Sequence, residues 1–253
     1  SLSSVLEARK VADLLEIPFY VLNYKNIFKE KIVDYFVEDY MVGNTPNPCI
    51  ECNRYIKFGN FLKSAKTLGA DYIATGHYAN VEKINDKFIL KKGKDIKKDQ
   101  TYMLYTLTQN QLKYVLMPCG KYTKDQVREI AKNIGMDIHN KKDSEEICFV
   151  PDGNHGKFIS EIKNIEEANF VDKSGKVLGR HKGIVYYTIG QRKGLNLSLG
   201  KPAYVIEIRP KANEIVIGDE EDIFFKNAII DNVKIISGEN FEDSFDVKAK
   251  VRY

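Results

Sequence analysis

Four cysteines, Cys49, Cys52, Cys119 and Cys148, are the residues of this sequence best suited to covalent chemistry. Cys49 and Cys52 form a Cys-x-x-C within "GNTPNPCIECNRYIKF", residues 43–58. A closed structural zinc site takes four ligands, commonly as two close pairs, and the other cysteines here are single and distant. A thioredoxin-type motif opens a helix directly behind a strand, whereas this pair follows a proline-bearing loop behind a helix. Two chemical readings stay open. One is a catalytic thiol, whose pKa falls near a helix start. The other is a three-cysteine iron–sulfur site completed by Cys148. A pair of packing cysteines is the plain alternative. Pro46 and Pro48 stiffen the loop and hold Thr45 and Asn47 extended. Asn47 brings an amide able to read a base edge, and a rigid polar loop bearing thiols has the makings of a site.

Other groups of residues carry weaker signals. The run "KKGKDIKKDQ", residues 91–100, holds five lysines within eight residues. Such a run is either a solvated face or a row of contacts to nucleic-acid phosphates. Gly190 and Gly194 bracket Gln191, Arg192 and Lys193, which reads as a tight basic loop. His77 follows a strand end, where α/β folds place ligands, although a lone histidine is more often structural. Cys119 has no partner in sequence and reads as a packing residue. Neither G-x-x-x-x-G-K-[ST] nor G-x-G-x-x-G occurs.

The elements that must position these residues follow from periodicity. Ser4-x-x-Glu7 reads as a capping box, and Val5, Ala8, Val11, Ala12 and Leu15 make one helical stripe that ends at Pro18. "FYVLNY", 19–24, reads as a buried strand, and residues 26–43 as an amphipathic helix closed by Gly43. A helix over 57–69 closed by Gly69 leads into a strand, "ADYIATGH". Residues 79–93 read as a hairpin around Asn85-Asp86, residues 99–118 as one helix, and Thr123-x-x-Gln126 as a second capping box whose helix ends at Gly135. A polar loop spans 139–158, with Cys148 at its apolar patch. Short β segments follow, the last of them the alternating "FDVKAKVRY". The order of elements predicts an α/β domain with a parallel sheet over 1–150, a small central domain over 151–200 and a further β domain over 201–253. The sheet's expected first strand is missing ahead of Ser1, and the final strand is cut short, so residues are expected beyond both ends.

Composition narrows the class. Hydrophobic residues make up 43% and charged residues 29%, enough for a core and too apolar for global disorder. No run of about 18 apolar residues occurs, and the start "SLSSVLEARK" lacks the apolar stretch of a signal peptide. Four cysteines among 253 residues are too sparse for a disulfide scaffold, which predicts a reducing, cytoplasmic setting. A net charge of +4 permits an anionic partner.

"GNTPNPCIECNRYIKF", "ADYIATGHYA", "KDQTYMLYTL", "EEICFVPDGNHGKF" and "YTIGQRKGL" occur in one order, and together they resemble the tRNA-specific 2-thiouridylases of the MnmA type across nearly the whole chain. The resemblance implies an adenine-nucleotide α-hydrolase domain (Rossmann-like, here without its first strand and phosphate loop), a central domain and a partial C-terminal β-barrel. It also implies ATP, with Mg2+, adenylating the C2 oxygen of the wobble uridine in tRNAs for Lys, Glu and Gln. Sulfur then arrives from a cysteine persulfide charged by a cysteine desulfurase or relay protein. By the same resemblance Cys148 carries the persulfide, and Cys52 is the nucleophile that pairs with it in a disulfide as sulfur leaves. Asn47, Pro48 and Cys49 meet the target base, Gly76 meets ATP, and His77 meets tRNA. So do Lys98, Asp99 and Gln100, and Arg252 and Tyr253, while the Gln191–Arg192–Lys193 loop adds basic charge for the same partner. Two departures stand out. Many members carry Asp where this chain has Cys49, which leaves Cys49 as an acid/base or as a [4Fe–4S] ligand with Cys52 and Cys148. The S-G-G-x-D-S pyrophosphate loop is absent, so the sequence as it stands is expected to be inactive toward ATP. Its alternatives are a cluster-dependent tRNA thiolase and a non-catalytic RNA-binding fragment.

Overall fold

A computed structural model describes residues 2–136, 146–150, 152–237 and 244–250. The helices are α1 Leu2–Leu14, α2 Lys25–Phe28, α3 Tyr35–Met41, α4 Pro48–Glu51, α5 Leu62–Thr67, α6 Gln109–Leu112, α7 Lys124–Asn133 and α8 His155–Ser160. Wide π-helical segments, Lys29–Asp34 and Cys52–Phe61, precede α3 and α5. The strands are β1 Ile73–Ala74, β2 Ala79–Ile84, β3 Lys87–Lys92, β4 Val115–Leu116, β5 Ala168–Val171, β6 Val177–His181, β7 Tyr204–Arg209 and β8 Glu214–Gly218. The chain forms two compact units, one of Ser1–Phe28, Ile50–Asp143 and Lys234–Tyr253, the other of Lys29–Cys49 and Ser144–Val233.

In the first unit β1 and β4 pair in parallel, Ile73 opposite Val115, over a core of Phe58, Leu62, Leu104, Leu107, Leu112 and Met117. Hairpin β2–β3 turns at Asn85 and Asp86, whose φ angles of 47° and 63° are the left-handed pair a two-residue turn needs. Gly120 locks the hairpin to the end of β4: its carbonyl accepts from Lys94 N at 2.8 Å and from Asn80 Nδ2 at 3.1 Å. A Cβ on Gly120 would overlap the Ala79 carbonyl. In the second unit a four-stranded sheet runs β6-β5-β8-β7, with β5 and β8 parallel and the other pairs antiparallel. Its core gathers Phe36, Phe170, Val185, Val205 and Ile215. Strands from either side of residue 200 share this sheet.

Several sequence expectations hold. Gly43, Gly69 and Gly135 take φ of 80°, 86° and 78° at helix ends, as left-handed caps require. The Thr123–Gln126 capping box forms. Others are corrected. Residues 19–24 are irregular, and Tyr20 and Val21 are exposed, because no strand among the described residues lies beside them to pair. For the same reason the stripe of α1 is largely uncovered, with Ala12 its buried member. That helix begins at Leu2, so Ser4 lies inside it, and it ends at Leu14, ahead of Pro18. The expected helix over 99–118 is instead a turn at Thr101–Met103, α6 opened by a Thr108–Gln111 capping box, and β4. Leu104, Leu107, Leu112 and Val115 keep helical spacing yet reach the core through these turns, since Val115 pairs with Ile73. Residues 244–250 form no strand, and no described strand pairs with them.

Gly120→Ala should lower unfolding stability by at least about 2 kcal/mol, because backbone must move to admit the Cβ. Urea denaturation with an unchanged midpoint would contradict this packing.

Candidate active site

The Cys-x-x-C does not sit in a loop. The expected helix over 57–69 begins nine residues earlier, at Pro48, so the cysteines occupy its opening turns. Asn47 accepts from the Cys49 backbone N–H through Oδ1 at 3.1 Å, and Pro48 follows as the first helical residue, where a missing N–H is harmless. The carbonyl end of the Asn47 amide is thereby engaged in capping, which leaves its NH2 as the donating end. Glu51, buried in the first turn, pairs with Arg54 at 3.2 Å, a favourable sign of charge for a helix start. Beyond Cys52 the helix widens. A Cβ on Gly59 would lie 2.8 Å from the Arg54 carbonyl five residues back, and Asn60 Nδ2 donates to the Tyr55 carbonyl at 2.8 Å. Both contacts follow the five-residue step of a π-helix, and glycine permits the close one.

Cys148 lies in the second unit on a turn closed by Val150 N to the Ile147 carbonyl at 2.8 Å. Phe149 packs edge-on to Phe36 at 5.3 Å and against Phe158 at 5.4 Å, and Val150 is fully buried. The turn is pinned by its neighbours while the Cys148 thiol itself is exposed. In the same unit the loop ahead of Asn47 is tied to the Gln191 loop by the Thr45 and Thr188 hydroxyls, 3.4 Å apart. Gly190 and Gly194 take φ of 85° and 76°, so the expected tight loop forms. Gln191 spends its side chain inside that loop, accepting from Thr188 N and donating to the Lys193 carbonyl, each at 3.0 Å. Its role is to hold the loop, and Arg192 and Lys193 stand exposed on it.

The first unit carries the remaining expected residues. Gly76 follows β1 at the carboxyl end of the parallel pair, exposed, with open space where a Cβ would be. His77 is 7% exposed, with Nδ1 at 2.8 Å from the Thr75 hydroxyl and its ring near Phe58. Burial, and secondarily the Lys57 ammonium, push its pKa down to about 4, so it is neutral at physiological pH. Asp99 and Gln100 also brace the backbone: Asp99 accepts from Gly93 N at 3.0 Å and from Thr101 Oγ1 at 2.6 Å, and Gln100 Oε1 accepts from Tyr78 N at 2.9 Å. They shape the segment from which Lys91, Lys92, Lys94 and Lys97 project into solvent. Arg252 and Tyr253 lie outside the described residues.

Sequence reasoning passed over Asn53 and Thr188. Asn53 is 1% exposed and donates to the Met103 carbonyl at 2.9 Å, anchoring the turn that carries Cys52. The available signal was a polar residue three positions after the buried Ile50, on the helix's core-facing side. Among the described residues no three His, Cys, Asp or Glu side chains gather to hold a metal ion, and none of the helices is long and apolar enough to cross a membrane.

Residues 2–152 match the family profile described as "tRNA methyl transferase HUP domain", and residues 156–219 the one described as "tRNA methyl transferase PRC-barrel domain". The tRNA-specific 2-thiouridylase MnmA of Clostridium perfringens is 57% identical across all of this chain, which covers 71% of that protein. MnmA of Clostridium kluyveri is 58% identical and MnmA 1 of Clostridium botulinum strain Loch Maree 57%, each over the whole chain and 72% of the relative.

The buried neutral His77 predicts a pH effect. Its folded pKa lies below the ordinary 6.5, so the unfolded chain binds the extra proton between those values and stability falls as pH drops from about 6.5 toward 4. His77→Gln should remove a share on the order of 3 kcal/mol from that loss, measured as urea stability of wild type and variant against pH. Parallel pH profiles would contradict the burial argument.

Proposed function

The chain belongs to the family of tRNA-specific 2-thiouridylases, and from that premise we propose that it transfers sulfur to C2 of the wobble uridine of tRNA at the expense of ATP. The observation that carries the reading is the exposed thiol of Cys148 on a turn fixed by buried neighbours. A persulfide must be reachable by a donor protein and then by the base, and an exposed, anchored cysteine meets both needs. Sulfur rather than methyl transfer is favoured by the names of relatives that match the whole chain and by this thiol.

The chemistry proceeds in steps. The C2 oxygen of uridine is a poor leaving group until it attacks the α-phosphorus of ATP and expels pyrophosphate. The terminal sulfur of a Cys148 persulfide, a soft nucleophile at neutral pH, then adds at C2, and AMP departs with the oxygen. Cys52 attacks the Cys148 sulfur, breaking the bond to the transferred sulfur, which stays on the base. The two cysteines end as a disulfide that an external thiol must reduce. Asn47 and Pro48 hold the base edge, and Cys49, a weaker acid than the aspartate many family members carry at that position, passes a proton in its place. Gly76 would admit ATP through its bare backbone at the strand end. Cationic contact to tRNA falls to the lysines of 91–98 and to Arg192 and Lys193, and the sulfur donor to a cysteine desulfurase or relay protein of the cytoplasm.

Full-length protein incubated with tRNA, ATP, cysteine and a desulfurase should yield 2-thiouridine by nucleoside mass spectrometry. Cys148→Ser and Cys52→Ser should each reduce that yield by at least about a hundredfold. Thiolation that survives Cys148→Ser would overturn the persulfide assignment.

A further inference from the structure

Lys57 is a cation to which the steps above give no task. Its side chain is half-buried, and it pairs with no carboxylate among the described residues. Residues 44–70 hold a single carboxylate, Glu51, and Arg54 engages it at 3.2 Å. A partly desolvated ammonium with no counter-charge is unfavourable until an anion meets it.

Two features fix where that charge stands, both within the first unit. The first is the packing of the next residue. Phe58 is 1% exposed, Gln111 Nε2 donates to its carbonyl at 2.9 Å, and its ring lies 5.6 Å from the His77 imidazole. The Lys57 ammonium acts on that imidazole, being the second cause, after burial, of its neutral state. His77 and Gly76 follow β1 at the carboxyl end of the parallel pair, where α/β folds place their ligands. His77, neutral at physiological pH, adds no positive charge there. The second feature is the helix pitch. At α-helical pitch, the five residues from Cys52 would carry Lys57 about 140° around the axis, away from the thiol. The stretch Cys52–Phe61 has the five-residue pitch instead, which returns Lys57 beneath Cys52. The widening thus sets a cation one turn along from the thiol and close to the end of β1.

We propose that Lys57 is a catalytic cation of the thiolation reaction: its ammonium meets the α-phosphate of the adenylyl group beside Gly76 and stabilises the negative charge that grows there. The assignment rests on the tRNA thiolation reading above. In adenylation the C2 oxygen bonds the α-phosphorus, and pyrophosphate leaves with the electrons of the broken P–O bond. In transfer the sulfur adds at C2, and AMP leaves with the electrons of the broken C–O bond. Charge gathers on the α-phosphate oxygens in the transition state of each step, and a fixed, partly desolvated cation counters it strongly. Lys57 stays protonated and forms no bond.

The test compares full-length wild type with Lys57→Met, which keeps the stem and loses the charge, and with Lys57→Arg, which keeps a cation. In Lys57→Met the kcat for thiolation should fall roughly 100- to 1,000-fold. Calorimetric affinity for AMP should fall roughly 10- to 100-fold. Affinity for tRNA and its salt slope should stay as in wild type. Lys57→Arg should recover at least about tenfold of the lost kcat. Should Lys57→Met fail to fold in urea denaturation, Lys57→Gln carries the same readouts. Unchanged kcat and AMP affinity in the uncharged variant would overturn the proposal. So would weaker tRNA binding, a salt slope lower by about 1 and unchanged AMP affinity, which together assign the ammonium to a tRNA phosphate. Lys57→Arg no better than Lys57→Met would overturn the electrostatic role. Wild type that thiolates no tRNA, yet binds AMP more tightly than Lys57→Met, would bring down the thiolation reading and leave the phosphate contact standing.

Discussion

The sulfur-carrying role proposed for Cys148 requires a thiol open to solvent yet fixed in place, and the packing of Phe149 meets that constraint. Phe149 lies edge-on to Phe36 and against Phe158, so the turn around Cys148 is pinned from the inside. The same aromatic group continues through the Phe36–Tyr40 contact at 5.0 Å to the Tyr40–His155 stack. Remove Phe149, and the turn and the stack both lose their reference point. A truncated aromatic in a core such as this costs about 3–5 kcal/mol, large against the whole stability of a domain.

The other thiol pair is positioned by backbone rather than by packing. Asn47 and Pro48 decide where the helix starts, and that decision converts a proline-rich loop into the first turn that bears Cys49 and Cys52. Gly59 then allows the helix to widen, since any side chain there would meet the Arg54 carbonyl. Asn53 ties the widened stretch to the backbone at Met103. The polar residues around the site follow one rule: Asp99, Gln100 and Gln191 spend their side chains on main-chain groups, and the lysines and Arg192 around them carry the exposed charge. In that arrangement the carboxylate and amide members of the motifs brace the backbone, and the cations around them stand exposed.

Legibility in the sequence tracked the range of the interaction responsible. Local signals were readable: the Asn85-Asp86 turn, the Thr123–Gln126 box and the glycines at 43, 69 and 135 all act within a few residues. Strand identity was not readable where pairing decides it. Residues 19–24 have strand composition and no partner, while Val115 and Leu116 sit in a stretch of helical spacing and become a strand because Ile73 and Ala74 are there to pair. The candidate thiols stood out in the sequence because cysteine types and spacing are chemically distinctive. Neither the neutral state of His77 nor the tie between Thr45 and Thr188 did, because burial and a contact across 143 residues belong to the folded chain.

The central claim is that Cys148 is the sulfur-accepting thiol. The most direct measurement is peptide mass spectrometry, with persulfide-selective alkylation, of full-length protein treated with a cysteine desulfurase and cysteine in the absence of tRNA. The account predicts one additional sulfur on the peptide carrying Cys148. Sulfur found on Cys119, or on Cys49 or Cys52 with Cys148 unmodified, would contradict it.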